Sequence, residues 1–356
     1  MTTAKPENVR VIAYYLPQFH PIPENDEWWG KGFTEWVNVA KARPQFPGHY
    51  QPHLPADLGF YDLRVPETRQ AQADLAREYG IHGFCYYHYW YDGRQLLDRP
   101  LREVLESGQP DFPFCICWAN QSWTRSWYGD ESEVLIASEY SREQDLRHFH
   151  DLLPYLRDPR YITVDRKPLL SIYRVDELPN PAETAELWRR EAVKAGLPGL
   201  YLCHVMANGS IDPDPERYGT DAAIARNTSW RGIPWRVASA GRIFPRLGSR
   251  PDPYALHNVH RYQEMVAAGI YEWSPSHRVF PCVAPGWDNT PRRRFGATIY
   301  IDSSPDLYRV WLRHALHQSC ERFSGQERLV FVNAWNEWAE GAHLEPDARW
   351  GHAYLQ

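Results

Sequence analysis

The sequence predicts one α/β domain, folded as a single (β/α)8 TIM-like barrel with elaborated βα loops. Eight short apolar runs recur along the chain, and segments of helical character separate them. This alternation is typical of βα units, and eight such units close a barrel. No repeat, linker or low-complexity stretch divides the 356 residues, so we expect one domain over residues 1–356.

The predicted strands are the apolar runs at residues 9–15, 83–88, 114–118, 168–173, 200–205, 222–225, 280–284 and 329–333. Helices are predicted between them at residues 66–79, 141–156, 181–195 and 304–318. Ser141 and Gln144 predict a capping box, and Ser304 followed by Pro305 predicts a second capped start. A glycine follows the first and third of these helices, where a helix commonly ends. The tryptophan-bearing stretch 230–253 favours a long lid or binding loop.

Composition favours a carbohydrate partner and disfavours a nucleic-acid or membrane partner. Aromatic residues make up 14% of the chain, with 16 Trp and 22 Tyr, well above ordinary usage. Flat apolar rings stack on the C–H faces of sugars, although aromatic cores also use many of them. Lys and Arg number 39 against 45 Asp and Glu, and the net charge of −6 does not suit a polyanionic surface.

Cysteine usage and the first residues suggest a cytoplasmic location. Six cysteines are too few for a disulfide framework, and five of them lie in apolar runs, which predicts buried free thiols. The N-terminal residues lack the apolar core of a signal peptide. No run of 18 apolar residues is present, so we expect no membrane insertion. The oligomeric state is not predicted.

The end of the eighth strand carries the most specific chemistry. Glu337 and Glu340 are three residues apart and share a face on a helical turn, with Trp335 and Trp338 around them. Two carboxyls in an aromatic pocket can acquire different pKa values, one serving as an acid and the other as a base, as glycosidic bond cleavage requires. A pair of solvated surface glutamates is the plain alternative, but exposing two tryptophan rings beside them is unfavourable.

Other strand ends also carry polar and aromatic residues, which a barrel would bring to one mouth. Each such residue alone is more often a satisfied core group, but their recurrence at seven strand ends favours a shared pocket. The candidate sugar-binding residues at these ends are Tyr15, Gln18, His20, His88, Tyr89, Trp90, Trp118, Asn120, Trp123, Tyr173, Trp287, Asp288, Asn336 and Trp338.

Other chemistries are not supported by motifs. The chain has no Gly-x-Gly-x-x-Gly, P-loop or Gly-x-Ser-x-Gly sequence. Cys115 and Cys117 lie within an apolar strand, and Asp212-Pro213-Asp214 suits a turn. We therefore expect neither a metal nor a cofactor. The run 292–294, three arginines, favours a solvated loop.

Residues 336–341, Asn-Glu-Trp-Ala-Glu-Gly, with Leu-Glu-Pro at 344–346, resemble the catalytic signature of the endo-α-mannosidases and endo-mannanases of glycoside hydrolase family 99. The chain is still more similar to the related WbsX family of bacterial polysaccharide loci, whose members are often labelled glycosyltransferases. That resemblance covers nearly the whole chain, including residues 14–20, 32–36 and 47–55, and it adds Glu35 and Trp36 to the candidate sugar-binding residues. Ala339 departs from the mannosidases, which usually carry a histidine there.

The resemblance implies a retaining, endo-acting hydrolase or transglycosidase on α-manno- or α-rhamno-configured polysaccharide, passing through a 1,2-anhydro sugar. Carried over by motif, Glu337 is the base that acts on the 2-hydroxyl and Glu340 is the acid/base. A glycosyltransferase of surface-polysaccharide biosynthesis is the second hypothesis, and a non-catalytic carbohydrate-binding protein is the third. Only residues 351–356 remain for a helix after the eighth strand, too few for a typical helix, so we expect the native chain to continue past Gln356.

Overall fold

Eight parallel strands close into a barrel, which confirms the predicted fold. The structure is a computed structural model that describes residues 9–124, 133–207, 211–226, 256–272 and 276–356. The barrel strands are β1 Arg10–Tyr15, β2 Gly83–Tyr91, β3 Phe114–Trp118, β4 Lys167–Ile172, β5 Tyr201–Val205, β6 Ala222–Arg226, β7 Val279–Val283 and β8 Leu329–Val332. Each pairs in parallel with the next, and β1 pairs with both β2 and β8, which closes the ring.

β3 has the predicted bounds, and the bounds of the other seven strands differ from the predicted ones by one to three residues. The largest difference is at β2, which continues to Tyr91 because residues Arg94–Leu96 turn back and pair with its end in an antiparallel hairpin. Other short strands pair outside the barrel: Trp123–Thr124 with Val134–Ile136, Thr163–Val164 with β4, Asn258–Arg261 with Thr298–Ile301, and Asn336–Glu337 with Ala342–His343.

Helices connect the strands and cover the barrel. In the described ranges they are α1 Pro23–Trp29, α2 Glu35–Lys41, α3 Pro66–Glu78, α4 Arg99–Ser107, α5 Arg142–Leu156, α6 Pro181–Lys194, α7 Tyr262–Ala267 and α8 Pro305–Arg322. The four predicted helices are α3, α5, α6 and α8. The Ser141 hydroxyl accepts the Gln144 N–H at 3.2 Å and the Ser304 hydroxyl accepts the Leu307 N–H at 3.4 Å, so both serines cap their helices. The capping box predicted at Ser141 forms only in this half, because Gln144 Oε1 has no hydrogen-bond partner among the described residues.

The barrel interior is filled by tightly packed side chains. The aromatic ring of Tyr14 on β1 stacks on that of Tyr87 on β2, with centroids 5.4 Å apart. Cys85, Cys115, Cys117, Cys203 and Cys282 are all buried free thiols, as predicted. No helix within the described residues is both long and apolar enough to cross a membrane.

Candidate active site

A cavity of about 580 Å³ opens at the carboxyl ends of the barrel strands. Its volume lies within the range of small-ligand sites. Its lining combines charged groups with aromatic rings and comes from loops after several strands, as expected for the functional face of this fold. The lining residues are Leu16, Gln18, Trp29, Tyr87, Tyr89, Ala119, Gln121, Ser122, Trp123, Thr124, Tyr173, Glu177, Arg226, Arg292, Arg293, Glu337 and Glu340.

A tight hairpin after β8 places both Glu337 and Glu340 on this cavity. Its strands Asn336–Glu337 and Ala342–His343 are joined through a single 3-10 turn, Trp338–Glu340. Gly341 ends the turn at φ 59°, and a Cβ there would lie 3.2 Å from Asp288 backbone and side-chain atoms. Glycine therefore allows the close approach in which the Asp288 N–H donates to the Glu340 carbonyl at 2.6 Å.

One guanidinium connects three carboxylates at this site. Arg292 donates from Nε to Glu35 at 3.0 Å and from Nη2 to Glu337 at 2.9 Å, and its Nη1 lies 2.7 Å from Glu340 Oε1. Its side chain is only 13% exposed. The interpretation of residues 292–294 as a solvated loop is therefore wrong for Arg292, because two buried carboxylates and the mostly buried Glu340 compensate its charge.

Burial and neighbouring charge raise the pKa of Glu337 to about 7. Loss of hydration is the largest cause, and the negative charges of Glu340 and Glu35 act in the same direction. The positive charges of Arg292 and Arg226 oppose the shift. A carboxyl that titrates near neutrality can both accept and release a proton under physiological conditions.

Arg226, the last residue of β6, is a second buried cation facing the pair. Its Nη2 lies 3.8 Å from Glu340 Oε2, and its Nη1 donates to the Tyr173 hydroxyl. The guanidinium also lies over the rings of Tyr173 and Trp287, at 5.0 and 5.7 Å from their centroids. Arg226 was not among the predicted site residues. The sequence signal for it is an arginine at the end of an otherwise apolar strand, where a barrel places its functional residues.

Six of the candidate residues meet in the cavity: Gln18, Tyr89, Trp123, Tyr173, Glu337 and Glu340. Tyr87 also lines it but was not among the candidates. That these six residues bind or act on a substrate stays a prediction.

Three candidate residues face the helices outside the barrel. The rings of His88 and Trp90 stack on the His148 ring of α5 at centroid distances of 5.3 and 4.5 Å, and Trp118 packs on the same ring at 4.5 Å. Successive strand residues point to opposite faces, so Tyr87 and Tyr89 face the cavity while His88 and Trp90 cannot. The prediction that every polar or aromatic residue at a strand end lines one pocket is therefore wrong for His88, Trp90 and Trp118, because it ignored this alternation.

Other candidates support the hairpin that carries Glu337 and Glu340 from behind. Trp338 is 1% exposed, stacks on His343 with centroids 3.7 Å apart and donates its indole N–H to Glu345 at 2.6 Å. The Trp36 indole N–H donates to the Tyr61 carbonyl at 2.8 Å. Both rings are therefore used in packing.

The remaining candidates also have internal partners. The Tyr15 hydroxyl donates to Gln72, His20 Nδ1 lies 2.9 Å from the Pro17 carbonyl, and Asn120 exchanges two hydrogen bonds with the Arg174 backbone. The Asp288 carboxylate accepts hydrogen bonds from His49 and Gln51, and the Trp287 ring lies under the Arg226 guanidinium. Glu35 is linked to the pair by its hydrogen bond with Arg292. The stretch 230–253 lies outside the described residues.

Asn336 ties the hairpin to the end of β1. Its side-chain oxygen accepts the Leu16 N–H at 2.7 Å and its side-chain nitrogen donates to the Leu16 carbonyl at 3.0 Å. Replacing Asn336 with Ala leaves both backbone groups buried and unpaired, and we expect a loss of roughly 1–3 kcal/mol in unfolding free energy for each. Urea denaturation measures this. The control is Gln70→Ala, which removes one exposed hydrogen bond to Asp74, and equal stability of the two variants would contradict the assignment.

Solved structures with a similar barrel include the GH99 endo-α-mannosidase of Bacteroides thetaiotaomicron, with a TM-score of 0.58 and 14% identity, covering 97% of this chain and 94% of that one. The same enzyme in complex with BIS-TRIS-propane gives a TM-score of 0.56 and 16% identity, covering 95% and 87%. A structure titled glycoside hydrolase-like protein has a TM-score of 0.57 and 16% identity, and the match covers 98% of this chain and 92% of that one. At these identities the likeness shows a shared fold.

Sequence relatives are more similar. WxcX proteins of two strains of Xanthomonas campestris pv. campestris are 44% and 43% identical over 356 residues, covering 99% of this chain. The chain spans about half the length of these relatives, 50% in each case. The sequence profile of the family described as Glycosyltransferase WbsX matches residues 11–356. The chain therefore belongs to the WbsX family.

Proposed function

We propose that the chain is a retaining, endo-acting glycoside hydrolase or transglycosidase for α-manno- or α-rhamno-configured polysaccharide. The observation that carries this proposal is the pair Glu337 and Glu340 on one cavity, joined through Arg292, with the pKa of Glu337 raised to about 7. A base and an acid at one site are what glycosidic bond cleavage needs. The likeness of the fold to endo-α-mannosidases supports the substrate class.

In the first step, the Glu337 carboxylate takes the proton of the sugar's 2-hydroxyl. The 2-oxygen then attacks C1, while the bond from C1 to the leaving oxygen breaks and Glu340 gives its proton to that oxygen. The product is a 1,2-anhydro sugar, with Glu337 protonated and Glu340 ionised. Inversion at C1 requires the 2-oxygen to lie trans to the leaving group, as it does in α-mannosides and α-rhamnosides.

In the second step, Glu340 takes a proton from water and the resulting hydroxide attacks C1. The bond between C1 and the 2-oxygen breaks, and Glu337 returns its proton to that oxygen. Two inversions give net retention, and both carboxyls regain their starting states. A sugar hydroxyl in place of water would give transglycosylation.

The charges around the cavity suit this proton exchange. Three carboxyls, Glu35, Glu337 and Glu340, face two guanidiniums, Arg226 and Arg292, so the fully ionised set carries one excess negative charge. If one of the three carboxyls holds a proton, this excess charge disappears. The set therefore favours one protonated carboxyl, which can act as an acid, beside an ionised one, which can act as a base. Glu340 Oε2 accepts no hydrogen bond from the described residues and lies 3.8 Å from Arg226 Nη2, so its hydrogen-bonding capacity is not used by a neighbouring side chain.

Aromatic rings give the cavity a surface for sugar binding. Trp123 and Tyr89 lie edge to face with centroids 5.2 Å apart, and Tyr87 and Tyr173 lie edge to face at 6.0 Å. All four line the cavity. Rings of this kind pack against the C–H faces of a pyranose and exclude water from the reacting bond.

The raised pKa of Glu337 leads to a prediction for the pH dependence. Glu337 must be ionised to act as a base, so we expect kcat/KM for an α-linked oligosaccharide to rise with pH through about 7. If the rise of kcat/KM with pH were instead centred near the ordinary glutamate pKa of about 4.3, the assignment of Glu337 as the base would be contradicted.

A glycosyltransferase is the second candidate function, and the description of the family favours it. Three arginines, Arg226, Arg292 and Arg293, line the cavity and suit an anionic donor, although two of them already pair with carboxylates. Incubation with a panel of α-linked oligosaccharides and, separately, with a panel of nucleotide sugars and acceptors distinguishes the two. We expect shortened or rearranged oligosaccharides from the first panel. Transfer from a nucleotide sugar alone would establish the transferase, and binding without turnover would establish a carbohydrate-binding protein.

A further inference from the structure

A second cluster of chemically competent side chains lies behind the catalytic hairpin. His53 Nδ1 lies 2.9 Å from His343 Nε2, and His343 Nε2 lies 3.9 Å from Asp347 Oδ2. One ligand atom from each residue falls within 4.8 Å of the other two. His343 and Asp347 are buried, and His53 is half-buried.

The spacing of these atoms fits one metal ion. Zinc binds imidazole nitrogen and carboxylate oxygen at about 2.0–2.2 Å in tetrahedral geometry, which places two ligand atoms about 3.3 Å apart. The observed separations of 2.9 and 3.9 Å lie on either side of that value. All three pairwise separations are within 4.8 Å, so side-chain rotations would bring the three atoms around a shared centre.

Hydrogen bonds from outside the cluster already direct two of the ligand atoms toward that centre. His343 Nδ1 lies 3.0 Å from the Glu345 carbonyl, a contact that fixes the proton on Nδ1 and leaves the lone pair on Nε2. Asp347 Oδ1 accepts the N–H groups of Arg349 and Trp350 at 2.9 and 2.6 Å, so Oδ2 is the oxygen turned to His343. Backbone partners of this kind commonly orient metal ligands.

We infer that His53, His343 and Asp347 form a binding site for one divalent transition-metal ion, with zinc as the ion that best matches two imidazoles and one carboxylate. The nearby pair of His49 and Asp288, with 2.6 Å between His49 Nε2 and the carboxylate, has no third ligand atom of this kind among the described residues. Without an ion, His53 Nδ1 donates to the lone pair of His343 Nε2, and the ion would take the place of that hydrogen bond. Sequence spacing did not predict the site because His53 and His343 are 290 residues apart.

The ion would tie the long loop after β1 to the catalytic hairpin. His343 belongs to the short strand that pairs with Asn336–Glu337, and its ring stacks on Trp338. The ion would thus clamp the hairpin through residues that do not line the cavity, and the inference is independent of the proposed function. Its test needs no turnover.

Calorimetric titration of the chelator-treated 356-residue chain with ZnCl2 tests the site. We expect one zinc per chain and a higher melting temperature in its presence. His53→Gln and Asp347→Asn should each weaken zinc binding on the order of 100-fold, the size of effect that loss of metal-site groups produces. The Asp347 variant keeps the oxygen that accepts the two backbone N–H groups. His352→Gln is the matched control, because His352 lies 2.7 Å from Asp57 without a third ligand and should bind zinc like the parent chain.

X-ray absorption of the zinc-loaded parent chain tests the same claim without any variant. Two imidazole nitrogens and one carboxylate oxygen at about 2.0–2.2 Å would agree with the site. Absence of stoichiometric binding, a different ligand set, or unchanged zinc affinity in both folded variants would each overturn it.

Discussion

Glu337→Gln should lower turnover of an α-linked substrate by about 10²–10⁴-fold, and Glu340→Gln should do the same, because each change removes one of two separate proton transfers. Glutamine keeps the size of each side chain and still accepts a hydrogen bond from Arg292. Substrate binding, measured by calorimetry, should therefore change little. Glu186→Gln is the control, since Glu186 pairs with Arg190 on the surface of α6. Near-normal turnover in either variant would remove that glutamate from the mechanism.

The barrel was predictable because its strands are buried on both faces and read as continuous apolar runs. Cavity residues were predictable only where a reactive side chain follows directly after a predicted strand, as Glu337 and Glu340 do. His88 and Trp118 were placed in the pocket because an apolar run does not reveal which of its alternating residues face inward. Nothing in the local sequence of Arg292 indicates that three carboxylates, one of them as far away in the chain as Glu35, will surround it.

Arg292→Met should destabilise the chain by roughly 3–5 kcal/mol, the cost of leaving buried charges without their partner. The same substitution should also shift the pH dependence of kcat/KM. Because the Arg292 charge lowers the pKa of Glu337, its removal raises that pKa above about 7, and the ascending limb of kcat/KM moves to higher pH. Urea denaturation and a pH–rate profile measure the two effects.

Arg292→Lys separates charge from geometry in this experiment. Lysine keeps the positive charge but cannot contact three carboxylates through one planar group, so we expect partial recovery of stability and of the pH profile. Arg294→Met is the neighbouring control, because Arg294 is exposed and lies over Phe295. If Arg292→Met behaved like Arg294→Met, Arg292 would not hold the carboxylate cluster together.

The participation of the substrate's own 2-hydroxyl is the central claim, and a substrate lacking it tests that claim most directly. Parallel measurements on an α-mannoside and on its 2-deoxy and 2-O-methyl derivatives should show binding of all three, and cleavage of the unmodified sugar alone. Efficient hydrolysis of either derivative would contradict the anhydro-sugar route and assign one carboxylate as an ordinary nucleophile.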